Sequence, residues 1–219
     1  MKSNVAELIA KTSPESLRFQ PELAKFVIDT NSRIVVETGS GVSSLFILEA
    51  MDKAGFGKLY SIDPSPFCGY EITHPRYELI KEKSFKALAP LYNKTGPWDF
   101  FLHDSDHWWE CQTFEYEFGH LCLKKGGWIF ADDRTWDIQT CWADFVKHRK
   151  LDEIIISDIA GAQKKTDAEM EKYDSEAVQE NVWRRVKQEG AAWRKANGRP
   201  PCWTCDEEMT EWWKFPDKK

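Results

Sequence analysis

Between residues 33 and 165, short apolar runs rich in β-branched and aromatic residues alternate with stretches whose apolar positions recur every three or four residues. The runs at 33–39 ("RIVVETG"), 58–63, 98–104 ("WDFFLHD") and 128–133 ("WIFADD") read as strands, with a weaker one at 77–84. Helical spacing covers 42–54, 85–93, 109–123 and about 136–149, and Gly126-Gly127 turns the chain into the fifth strand. Two further strands, 153–158 and 159–165, follow almost without a link. Apolar strands separated by helices imply a parallel sheet covered on both faces. The near-direct joint permits only antiparallel pairing, because a parallel crossover needs about a dozen residues. The pattern therefore predicts an α/β fold: a parallel sheet with one antiparallel strand near its edge.

Three segments follow: an N-terminal helical segment (1–32), the alternating domain (33–165), and a helical, tryptophan-rich C-terminal extension (166–219). In the extension, Ser175 reads as a helix cap with Glu176 in the first turn. Trp183, Val186, Gly190 and Trp193 form one stripe expected to dock on the domain. Arg184, Arg185, Lys187, Arg194 and Lys195 form a basic face, expected to be solvated, with an acidic substrate or nucleic acid as the alternatives. The single C-x-x-C at Cys202 and Cys205 is weak evidence for zinc, and a packed tail is expected there. The nearby "EWWKF" could act as a lid or as a contact between two copies in a homodimer.

Composition adds exclusions. A chain of 219 residues, 42% hydrophobic and 30% charged, suits one soluble domain with elaborations. A net charge of −6 argues against nucleic-acid binding, and no apolar run reaches the ~18 residues of a membrane span. The N-terminal stretch lacks a secretory pattern, and six scattered cysteines read as free thiols in a reducing cytoplasm.

In open α/β sheets ligands bind beyond the carboxyl ends of the strands. After the first strand comes "ETGSGVSS", with Glu37, Gly39, Ser40, Gly41, Ser43 and Ser44. Asp63 ends the second strand, placed to accept hydrogen bonds from a ribose diol, and Ser84 closes the third run. Together with Asp104 these are the expected cofactor-binding residues. A dinucleotide site would want a third glycine where Ser44 stands, and the acid Glu37 suits a cationic ligand better than a diphosphate. S-adenosylmethionine, with a sulfonium and an ammonium, fits that pattern.

"VVETGSGVSS", "LYSIDPSP", "WDFFLHDSDHWWE" and "LKKGGWIFADD" in this order resemble the motifs of class I S-adenosylmethionine-dependent methyltransferases. More narrowly they resemble a branch of metal-dependent O-methyltransferases acting on antibiotic sugars, with catechol O-methyltransferases more distant. The resemblance covers about residues 30–165 and implies a Rossmann-like, seven-stranded sheet with a reversed final strand. It also implies a small-molecule acceptor. Ser105, Trp108-Trp109 and Lys125 depart from the branch pattern, which bears on the substrate more than on the cofactor.

"HDSDHWWE" (103–110) concentrates acid, imidazole and indole. If the fourth and fifth strands are neighbours, Asp104 lies ~4.8 Å from the Asp132–Asp133 pair, and such acids repel unless a cation sits between them. By the resemblance, Asp104, Asp132 and Asp133 match metal-binding acids suited to Mg²⁺, and Asp106 matches a proposed general base with His107 behind it. Two other readings stand beside this one. Asp106 and His107 could only cap the following helix, or His103 and His107 could hold a softer metal. Trp108, Trp109 and Trp136 could wall an acceptor pocket or simply pack. Hydride transfer with a nicotinamide, and S-adenosylmethionine binding with other chemistry, are the competing functions.

Overall fold

The computed structural model describes residues 3–14, 17–66, 71–132, 140–167 and 170–198. Seven strands form one sheet in the order β3-β2-β1-β4-β5-β7-β6. They are β1 (Ile34–Thr38), β2 (Lys58–Ile62), β3 (Tyr77–Ile80), β4 (Trp98–His103), β5 (Leu123–Ala131), β6 (Glu153–Ile156) and β7 (Ile159–Gln163). Only β7 runs against its neighbours, pairing antiparallel with both β5 and β6. This is the Rossmann-like, mostly parallel sheet that the alternating pattern and the resemblance lead one to expect.

Period-two alternation sends successive strand residues to opposite cores. Val35, Phe100, Leu102 and Phe130 face the layer of α1 (Val5–Lys11), α2 (Gln20–Asp29) and α3 (Val42–Ala54). Val36, Phe101, Ile129 and Ala131 face the layer of α4 (Ser84–Thr95), α5 (Trp109–Cys122), α6 (Thr140–Arg149) and α7 (Ser175–Ala196). All six residues of β4 are buried, as a central strand covered on both faces requires. No helix among the described residues is long and apolar enough to cross a membrane.

Three local expectations need correction. β5 begins at Leu123, and the stretch Lys124–Gly127 is an excursion within the strand, where its register against β4 shifts. The α7 cap is Asp174, whose carboxylate accepts the N–H groups of Glu176 and Ala177 at 3.0 and 3.2 Å. Ser175 instead donates to Asn93 on α4. The buried stripe of α7 runs through Trp183, Val186 and Gly190 but ends on Arg194, leaving Trp193 42% exposed. Arg194 turns inward because its guanidinium meets the buried carboxylate of Glu110 at 2.6 and 2.7 Å. At Gly190 an added Cβ would lie 2.4 Å from the Glu110 side chain, so glycine sets how closely α7 approaches α5. Cys111, Cys122 and Cys141 are buried free thiols, and burial pushes Cys141 up to about 12. Cys68, Cys202 and Cys205 lie outside the described residues, as do Asp133, Trp136 and "EWWKF".

Candidate active site

Parallel strands share one carboxyl edge, and the loops leaving β1, β2, β4 and β5 meet there. The chain leaves β1 through Gly39, which has φ +90° and donates its N–H to the Ile62 carbonyl at 2.9 Å. A Cβ at this position would sit 2.0 Å from the Asp104 carbonyl oxygen, so both conformation and space demand glycine. The Asp104 N–H bonds back to Thr38 at 3.0 Å. The glycine turn and the loop after β4 are thereby locked together.

Glu37 lies beneath this turn with no exposed surface. Its carboxylate accepts hydroxyls from Ser43 at 3.2 Å, from Ser44 and from Ser61. Burial raises the Glu37 pKa to about 7, and the serine hydrogen bonds offset only part of that rise. Ser44 also accepts the Gly41 N–H at 3.1 Å, fixing the first turn of α3. Glu37, Ser43 and Ser44 thus hold one another, forming the internal frame of the turn.

Asp63 faces the turn from β2. Its two oxygens accept the N–H groups of Ser40 at 3.0 Å and Ser65 at 2.8 Å, and each keeps lone-pair capacity for a further donor. Burial raises its pKa above the usual carboxylate value. The Ser40 hydroxyl shares a 2.8 Å hydrogen bond with Tyr77 at the start of β3. Burial pushes the Tyr77 phenol up to about 12. Tyr77 was hidden in the sequence because a tyrosine in a weak strand reads as ordinary packing.

A second buried frame centres on Glu115 of α5. It takes the Thr38 hydroxyl at 2.5 Å, the Ser105 hydroxyl at 2.9 Å and His103 Nδ1 at 2.6 Å, and it also bonds Ser84. Burial alone would raise the Glu115 pKa, but the hydrogen bonds and charge of His103 outweigh it and the net shift is downward. Ser84 therefore braces the floor of the site through Glu115. His103 is fully buried, commits one nitrogen to Glu115, and lies 6.0 Å from the His107 ring centre. Among the described residues no third His, Cys, Asp or Glu joins the two histidines in a group that could hold a soft metal.

Asp106 and His107 are half-buried in the loop before α5. Asp106 accepts the Trp108 N–H at 3.2 Å, while Trp108 itself occupies the N-cap position without a side-chain capping bond. The Arg194 guanidinium lies 4.4 Å above the Trp108 ring, so α7 clamps this loop from outside. Trp109 packs against the core.

The acidic edge is partly as expected. His103 pairs in register with Ala131, so Asp104 and Asp132 follow side by side, and the Asp132 N–H donates to His103 at 3.0 Å. Asp132 is 5% exposed and accepts the Arg18 guanidinium at 3.3 Å. Among the described residues, no group of three or more His, Cys, Asp or Glu could hold a metal ion. With a guanidinium already facing Asp132, the described acids do not fit a resident divalent ion.

Residues 36–134, from β1 to just past β5, match the family model for a methyltransferase domain. Among solved structures, an O-methyltransferase from Bacillus cereus in complex with SAH is similar at 15% identity and TM-score 0.50 over 74% of this chain and 89% of that one. The MycE methyltransferase of the mycinamycin biosynthetic pathway, in complex with Mg and SAH, is similar at 18% identity and TM-score 0.53. That match covers 75% of this chain and only 54% of MycE. A comparison with curated proteins returns no match. Residues 36–134 are thus similar to a methyltransferase domain, and the chain shares its fold with solved methyltransferases.

Proposed function

We propose that the chain transfers the methyl group of S-adenosylmethionine to a hydroxyl oxygen of a small-molecule acceptor. The observation that carries this reading is the locked junction of Gly39 with Asp104, which sets a ligand cradle directly against the loop of Asp106 and His107. In the cradle, the backbone at Gly39, Ser40 and Gly41 contacts the cofactor and Asp63 accepts its ribose hydroxyls. Glu37, Ser43 and Ser44 act through the shape of the turn, and Ser84 acts through Glu115. Asp104 closes the side toward the acceptor.

In the reaction, the acceptor oxygen attacks the methyl carbon in line with the carbon–sulfur bond at ~3–3.5 Å, and that bond's electron pair stays on sulfur. Asp106 takes the hydroxyl proton, with His107 behind it. The divalent ion implied by the resemblance would use Asp104, Asp132 and Asp133 and would acidify the hydroxyl. Because Arg18 faces Asp132, proton removal rests on Asp106.

Calorimetric titration with S-adenosylmethionine and with NADH tests the reading, followed by mass analysis of acceptor candidates. Saturable binding of the first ligand alone, with a 14-Da gain on an acceptor oxygen, is the expected result. Binding of NADH in preference would overturn it.

A further inference from the structure

Charged groups from distant parts of the chain meet at the edge where β4 and β5 end. Asp104 follows β4, Asp132 follows β5, Asp158 sits in the turn between β6 and β7, and Arg18 precedes α2. Arg18 donates from one nitrogen to Asp132 at 3.3 Å and from another to Asp158 at 2.5 Å. Its guanidinium also lies 5.7 Å from the ring centre of Phe19, a fully buried residue that anchors this stretch of chain. The partners differ in what water can do for them. The Asp158 side chain is 41% exposed and the Asp132 side chain only 6%. A carboxylate that buried keeps its charge most readily beside a cation, and among the described residues the Arg18 guanidinium bonds it.

Resting on the methyl-transfer reading above, we propose that Arg18 is the resident cation of this acidic edge and occupies the role a divalent ion plays in a metal-assisted site. A hard ion such as Mg²⁺ needs carboxylate oxygens at about 2.0–2.1 Å in near-octahedral array. A guanidinium bonded to Asp132 Oδ1 holds an oxygen that such an ion would use and repels the ion. Arg18 supplies the compensating charge from inside the chain, in a fork that fixes direction as well as sign. It is a positioning residue: it acts by setting the charge and orientation of Asp132.

The test is Mn²⁺ binding to the full chain without cofactor, read by the electron paramagnetic resonance of free Mn²⁺. Wild type should show no saturable site tighter than about 1 mM. Arg18→Met should bind Mn²⁺ at least about tenfold more tightly, since the repelling charge is gone. Adding Asp132→Asn should abolish the gained site, and Arg18→Lys, which keeps a cation, should resemble wild type. Circular dichroism reports folding, and Arg18→Gln carries the same comparison if Arg18→Met unfolds. A tight wild-type site lost in Asp132→Asn would overturn the proposal, as would equal Mn²⁺ affinity with and without the Arg18 charge. None of these readouts requires methyl transfer, so failure of S-adenosylmethionine to bind would count against the function and not against Arg18.

Discussion

Glu37 offers the sharpest quantitative test, because its carboxyl is wholly buried yet surrounded by hydroxyls. In the unfolded chain it titrates near its ordinary 4.5, and in the folded chain burial raises it to about 7. Across that window the folded chain keeps a proton that the unfolded chain has lost. Stability therefore falls as pH rises from about 4.5, and the full cost is present above about 7. At ~1.4 kcal/mol per pH unit, the whole shift amounts to about 3 kcal/mol. Glu37→Gln keeps the size and hydrogen-bonding capacity but removes the titration. The stability of the variant relative to wild type should then rise by about 2 to 3 kcal/mol between pH 5 and pH 8, with other groups cancelling in the difference. Urea unfolding at the two pH values measures it. A difference that stays flat would show that Glu37 is already ionised in the folded chain at pH 5. The cofactor adds a second arm. A cationic ligand above the turn favours the carboxylate, so binding near pH 7 should release protons in wild type and none in Glu37→Gln. Calorimetry in buffers of different ionisation enthalpy detects that release.

Asp63→Ala should weaken S-adenosylmethionine binding more than tenfold, since charge-assisted ribose bonds are worth about 1.5–3 kcal/mol each. An unchanged dissociation constant in a folded variant would remove Asp63 from the site. Asp106→Asn should lower methyl transfer by about 10²–10⁴-fold while cofactor affinity holds. Asparagine caps a helix about as well as aspartate, so a silent substitution would leave Asp106 only its bond to the Trp108 N–H. Arg194→Met strands the buried Glu110 carboxylate and should cost about 3–5 kcal/mol in denaturant melts, with Glu110→Gln restoring much of it. If the second substitution restores nothing, the pair is not the coupled unit its geometry implies.

The sheet was legible wherever burial on both faces left an unbroken apolar run, as in β4, and faint where it did not, as in β3, whose four residues are all half-buried. The excursion at Lys124–Gly127 read as a turn because its composition is that of a turn, and only pairing against β4 makes it part of a strand. On α7, residues 193 and 194 both continue a helical stripe beyond Gly190. What selects Arg194 over Trp193 is the Glu110 carboxylate across the contact, which no pattern local to α7 can reveal.

The candidate site divides along the same line. The residue types at 37–44 suggested a ligand-binding turn in which Glu37, Ser43 and Ser44 each contact the cofactor. In the fold they face one another, because a carboxylate ending a central strand is buried and the hydroxyls starting the next helix are the nearest donors. Glu115 is linked to Thr38 across 77 positions, and Arg18 to Asp132 across 114. A motif can carry acids from one protein to another without carrying what neutralises them. Local spacing shows that Asp104 and Asp132 end neighbouring strands, whereas the charge that meets Asp132 depends on which distant segment the fold returns to that edge. Here that segment is the stretch before α2, lying outside the matched domain at 36–134. In this chain the cation that meets Asp132 thus comes from the segment flanking the domain and not from the acids' own motif.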